Sequence, residues 1–161
     1  MRPFLALLLF CMSTALSAQS ISGREWATAI STQAKTDRKI IFRYIKEFQP
    51  SFQRANYPER VIITWRYESE SGMPSVPERM RMERLEDLLA PVVEEAGLAA
   101  LVLVSTGENL REWIYYTQSE EKFFQALNRT LATERRFPIE IHTAIDANWK
   151  TYEEFRKGVR D

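Results

Sequence analysis

Leu98-Ala99-Ala100-Leu101-Val102-Leu103-Val104, the turn Gly107-Glu108-Asn109, and Leu110-Arg111-Glu112-Trp113-Ile114-Tyr115-Tyr116-Thr117 form the stretch whose reading decides the fold. The first segment is an almost unbroken apolar run, which suits a strand covered on both faces or on most of one. The turn residues tolerate the tight geometry of a hairpin. The second segment is rich in aromatic residues, which favour a pleated, half-buried surface. A central hairpin is therefore predicted, and the elements on either side must cover it.

On the N-terminal side, Ser75 stands three residues before Glu78, the spacing at which a cap hydroxyl and a carboxylate each satisfy a free backbone amide. Met82, Leu85, Leu89, Val92 and Ala96 then recur at helical spacing, with Arg79, Glu83, Glu86, Asp87 and Glu94 mostly on other faces. Pro91 should kink or divide this helix, and Gly97 should end it. Before the helix, Ser69–Pro74 reads as a loop. Arg60–Glu68 reads as a strand, because Val61, Ile63, Trp65 and Tyr67 alternate with Ile62, Thr64, Arg66 and Glu68.

On the C-terminal side, a helix should start near Ser119 with Glu120 and Glu121 in its first turn and Phe123, Leu127 and Leu131 as its buried stripe. Phe137-Pro138 ends that region, and Ile139, Ile141, Thr143 and Ile145 alternate as a last strand. A short final helix carries Trp149, Tyr152 and Phe155 at three-residue steps. From Arg60 onward the order is strand, helix, strand, strand, helix, strand. Two split βαβ units of this kind make an α+β, ferredoxin-like sandwich: an antiparallel sheet with both helices on one face. Trp26–Thr32 and Lys39–Phe48, joined by a turn at Thr36-Asp37, read as an N-terminal β-hairpin added to a sheet edge, with the C-terminal helix lying across the sheet.

Met1-Arg2-Pro3, the apolar run Phe4–Met12 and the small residues Ser13–Ser20 match the three parts of a secretory signal peptide. The run is too short to cross a bilayer, which takes about 20 apolar residues. We expect cleavage after Ala18, giving a signal at residues 1–18 and one domain at 19–161, with a periplasmic or secreted location; a cut after Ser20 fits nearly as well. A buried N-terminal helix is the alternative. Cleavage would remove Cys11, the sole cysteine, and with it every disulfide or thiolate site. It would also remove Arg2 from a balance of 22 basic and 22 acidic residues, leaving a net charge of −1. Such a balance gives no electrostatic case for nucleic acid or an anionic membrane. No membrane span is expected after cleavage.

Five dispersed glycines provide no phosphate-cradling loop, and no nucleophile elbow is present, so no cofactor is expected. A histidine-rich metal site cannot be built from His142 alone, and no metal is expected. His142, with Glu140 and Asp146, supplies the one candidate acid–base set, of the kind a hydrolase would use. Its alternative is a polar side chain on a solvated strand face. Trp113, Tyr115 and Tyr116 place large aromatics on both faces of one strand, with Arg111 beside them. Either an open sheet face binds a protein partner or small ligand, or another element covers it. Asp146, Trp149 and Tyr152 are read in two ways as well: as the lining of a ligand pocket, or as a helix cap and its docking stripe.

Leu98–Thr106, Arg111-Glu112-Trp113-Ile114-Tyr115-Tyr116, Pro138-Ile139-Glu140 and Asp146-Ala147-Asn148-Trp149 with Tyr152 together resemble the bacterial domain-of-unknown-function family 695. The resemblance covers about Trp26 to Phe155 and implies a bacterial source and a single α+β domain, with no activity attached. A weaker likeness to the ribonuclease E inhibitor family, small ferredoxin-like proteins that bind an enzyme, conflicts with the neutral charge and the signal peptide. The expectation is an exported, non-enzymatic binding module of the cell envelope, with a hydrolase using His142 as the alternative.

Overall fold

The structure, a computed structural model, describes residues 24–33, 35 and 37–159. The signal peptide, its cleavage site, Cys11 and Thr36 of the first turn lie outside the described residues. Six strands are present: β1 (Glu25–Thr32), β2 (Lys39–Glu47), β3 (Glu59–Arg66), β4 (Ala99–Gly107), β5 (Leu110–Thr117) and β6 (Ile139–Ile145). They form one sheet in the order β1-β2-β4-β5-β3-β6, every neighbouring pair antiparallel. The helices are α1 (Val76–Leu89), α2 (Glu120–Leu131) and α3 (Lys150–Gly158). The fold is thus α+β, and the predicted N-terminal hairpin joins the sheet through β2 against the edge of β4.

The apolar run of β4 is buried along its length because both sheet faces are covered. On one face, Leu101 and Val104 meet Met82, Leu85 and Leu89 of α1 and Phe123 and Leu127 of α2, together with Val61, Ile63 and Trp65 of β3. On the other, Ala100, Val102 and Leu103 meet Trp149 and Tyr152 of α3. A register shift between Leu101 and Leu103 in the β4–β5 ladder lets both Val102 and Leu103 turn to the α3 side.

Turn chemistry sets the β4–β5 register. Glu108 and Asn109 both take positive φ (51° and 63°), as a tight hairpin turn requires. Gly107 lies at φ 152°, and a Cβ there would come within 2.3 Å of the Lys39 carbonyl oxygen on β2. Only glycine lets β2 approach β4 at this point.

Three local expectations change. Ser75 Oγ does accept from the Glu78 amide (3.4 Å), but the Glu78 carboxylate accepts from the Trp65 indole (3.1 Å) instead of closing a reciprocal cap. The buried indole has a donor that needs a partner, which an exposed cap amide does not. After Leu89 the chain makes one π-helical turn, Ala90–Glu94, that includes Pro91. Its wider turn rotates the stripe by a residue: Val93 is fully buried in place of the expected Val92, and Glu94 is buried as well. Gly97 then ends the helical segment at φ 71° as expected. Ile145, expected on the inward side of the last strand, is 84% exposed.

Candidate functional site

The corner where β6 turns into α3 collects several of the residues singled out from sequence. Asp146 caps the helix: its Oδ1 accepts from the Lys150 amide (2.7 Å) and its Oδ2 from the Thr151 amide (3.1 Å) and the Tyr116 hydroxyl (2.7 Å). Trp149 sits just before the helix at φ 56°, which lays its ring flat on Tyr116, centroids 4.0 Å apart and planes 7° from parallel. Its indole donates to the Tyr57 carbonyl (3.0 Å), and the Tyr152 hydroxyl donates to the Ile45 carbonyl. Burial tends to raise the Asp146 carboxyl, but the bonds from Tyr116, Thr151 and Lys150 outweigh it and hold the group below its ordinary value. Burial, then the bond to anionic Asp146, pushes the Tyr116 phenol up.

This arrangement corrects the expectation of an open sheet face. Tyr116, Trp149 and Tyr152 are at most 1% exposed, because α3 lies across that face and the three rings fill the interface. Trp113 and Tyr115, pointing the other way, are each 1% exposed beneath the α1 and α2 layer. Neither set forms an accessible aromatic surface.

The acid–base candidates are not assembled into one group. His142 and Glu140 are solvent-exposed neighbours on β6, with Nε2 and Oε2 3.9 Å apart. Asp146 is engaged in capping. Among the described residues, no three His, Cys, Asp or Glu side chains gather where they could hold a metal ion.

On the α1 face, Arg111 of β5 belongs to a charged group that the sequence disperses along the chain. Glu86 of α1 accepts from the Trp113 indole (3.0 Å), lies 3.3 Å from Arg111 Nη2 and pairs with Arg43 of β2. Arg43 in turn stacks over Trp26 (5.0 Å to the ring centre), and Arg24, also over Trp26, pairs with the buried Glu94. Burial raises the Glu94 carboxyl, against the opposing pull of Arg24. Arg111 is lowered by burial and by Arg43, with Glu86 acting the other way.

Beside this group a cleft of about 330 Å³ opens between the β2–β4–β5 sheet surface and the start of α1. Ile41, Val104, Met73 and Pro74 give it apolar walls, while Arg43, Arg79 and Arg111 bring guanidinium groups and Thr106 a hydroxyl. Strand alternation places these side chains: Ile41 and Arg43 on β2, Val104 and Thr106 on β4, and Arg111 on β5 face the same side. Of the sequence candidates only Arg111 lines the cleft. Arg43, Arg79 and Met73 were not singled out, since they are far apart in the chain and each alone reads as an ordinary surface residue. In the sequence Arg43 reads only as a polar residue on the strand face opposite Ile40, Phe42 and Tyr44.

A six-stranded antiparallel sheet, helices on both its faces and an arginine-lined cleft at the hairpin edge define an α+β domain with a candidate ligand site. The chain belongs to a family of unknown function, DUF695, which it matches over residues 24–156. No curated protein sequence matches it. Among the described residues no helix is long and apolar enough to cross a membrane.

Proposed function

We propose that the protein is an exported, non-enzymatic binding module of the bacterial cell envelope, with the cleft bounded by Arg43, Arg79 and Arg111 as its ligand site. The observation that carries this reading is the cleft itself: apolar walls with a few convergent polar groups are the ordinary make-up of a small-molecule site, and about 330 Å³ falls within the usual range. Export rests on the basic start, short apolar run and small residues of the first twenty positions. We read the architecture as ferredoxin-like, supported by the run β6-β3-β5-β4 in the sheet with α1 and α2 on one face. The hydrolase alternative has only the exposed His142–Glu140 pair in its favour.

Two measurements test the proposal. Full-length protein with a C-terminal tag should be recovered from the periplasmic fraction or the medium with an intact mass beginning at Gln19; an uncut chain confined to the cytoplasm refutes export. Affinity capture from an envelope extract should then retain a ligand or partner that an Arg79→Gln, Ile41→Ser double variant loses. Equal retention by both forms would move the site away from the cleft.

A further inference from the structure

The Arg111 guanidinium is built into the cleft wall in an unfinished state. Its side chain is only 10% exposed, yet its contact with Glu86 is a single one at 3.3 Å, long for a charge-assisted bond. Its Nε has no hydrogen-bond partner. Buried donors are nearly always satisfied, so an unsatisfied one in a side chain that lines a cleft points to an acceptor missing beside that side chain. Glu86 is unsuited to complete the bonding, because its oxygens are already shared among Arg43, Arg111 and the Trp113 indole.

We infer that the cleft binds a small organic acid, its carboxylate accepting from Arg111 and its short aliphatic body lying against Ile41, Met73, Pro74 and Val104. This rests on the reading of the cleft as the binding site and adds the class of ligand. Charge selects a monoanion. The three guanidinium groups at the cleft face two carboxylates, Glu86 on Arg43 and Arg111 and Glu83 on Arg79 (3.6 Å), which leaves one positive charge over. Geometry selects a planar, two-oxygen acceptor, since the guanidinium fork matches a carboxylate side by side. The apolar walls select an organic body over a bare inorganic anion, which would leave them in water. The same chemistry is offered by a free short-chain acid and by the C-terminal residue of a peptide ending in an aliphatic side chain.

Titration of the isotope-labelled protein, followed through its backbone amides and arginine Nε–H signals, decides the matter. The probes are hexanoate, acetyl-Ala-Leu with a free C-terminus, hexanamide and inorganic phosphate. Hexanoate or the dipeptide should move the Arg111 Nε–H together with the Val104 and Thr106 amides, and the better of the two names the source. Hexanamide should bind at least about tenfold more weakly, a difference of about 1.4 kcal/mol. Arg111→Lys keeps the charge but loses the fork and should weaken the acid by a similar factor. Arg79→Gln, on the exposed rim of the cleft, should weaken the acid less than Arg111→Lys does. Hexanamide binding as well as the acid would overturn the carboxylate assignment and leave the cleft as a neutral-ligand site. Phosphate shifting the same signals as strongly would replace it with an inorganic-anion site. Silence of both acids at Arg111 would refute it outright, while the capture experiment judges the binding module separately.

Discussion

Replacing Tyr116 by Phe removes one oxygen and little else, and its consequence depends on pH in a way that a packing defect would not. The lost hydroxyl donates to Asp146 Oδ2 at 2.7 Å and accepts weakly from the Tyr152 amide at 3.4 Å. A hydrogen bond to a charged group contributes about 1.5–3 kcal/mol, and because Asp146 is only partly buried, water replaces some of the bonding; a loss of about 1–2 kcal/mol is expected at pH 7. The ring stays stacked on Trp149, so no cavity opens. Asp146 has a folded-state pKa held below the ordinary 3.8, so its contribution is present above the unfolded value and is lost as pH falls through the folded one. In the Phe variant Asp146 keeps the amides of Lys150 and Thr151 but loses its phenol donor, and its pKa moves part of the way back up. The stability gap between the two proteins should therefore be full at neutral pH and shrink below about pH 3.8, as Asp146 becomes protonated. Urea unfolding followed by tryptophan fluorescence at pH 7 and at about pH 2.5 measures both gaps, with unchanged m-values confirming that the transition is the same one. A gap below about 0.3 kcal/mol at pH 7, or one that does not change with pH, refutes the assignment of Asp146 as an ionised cap held by Tyr116.

Two further substitutions test the frame of the site. Gly107→Ala forces a Cβ to within 2.3 Å of the Lys39 carbonyl at φ 152° and should cost about 2–5 kcal/mol, separating β2 from β4; a urea midpoint within error of the parent would show that the hairpin edge is not held as described. Trp113→Ala empties a fully buried site and deprives Glu86 of a donor, so a loss of about 3–5 kcal/mol in calorimetric or urea unfolding is expected, whereas a stable, folded variant would mean the ring is a surface feature after all.

How far the sequence could be read depended on the range of the interaction involved. The central hairpin, the Ser75 cap, the helix start near Ser119, the Gly97 stop and the order of strands and helices follow from forces acting within a few residues, and each was legible as periodicity, cap chemistry or turn chemistry. Family membership was legible too, because short aromatic segments carry it. The π turn at Ala90–Glu94 was not, since Pro91 announces a break in the helix but not its width, and so the burial of Val93 and Glu94 went unforeseen. Whether the aromatic face of β5 stood open could not be decided from β5 at all. That depended on α3, some 30 residues later in the chain, and on the left-handed backbone of Trp149 that turns its ring onto Tyr116.

The cleft belongs wholly to tertiary structure. Ile41 and Arg43, Met73 and Arg79, Val104 and Thr106, and Arg111 come from four elements and a loop, and no local pattern joins them. By itself the sequence determined the elements, their order, the absence of known catalytic motifs and the family, because burial patterns and caps are written in neighbouring residues. Only the folded chain decided which side chains converge, because convergence is set by the pairing of β2 with β4 and the seating of α1 on the sheet, contacts between residues far apart in the chain.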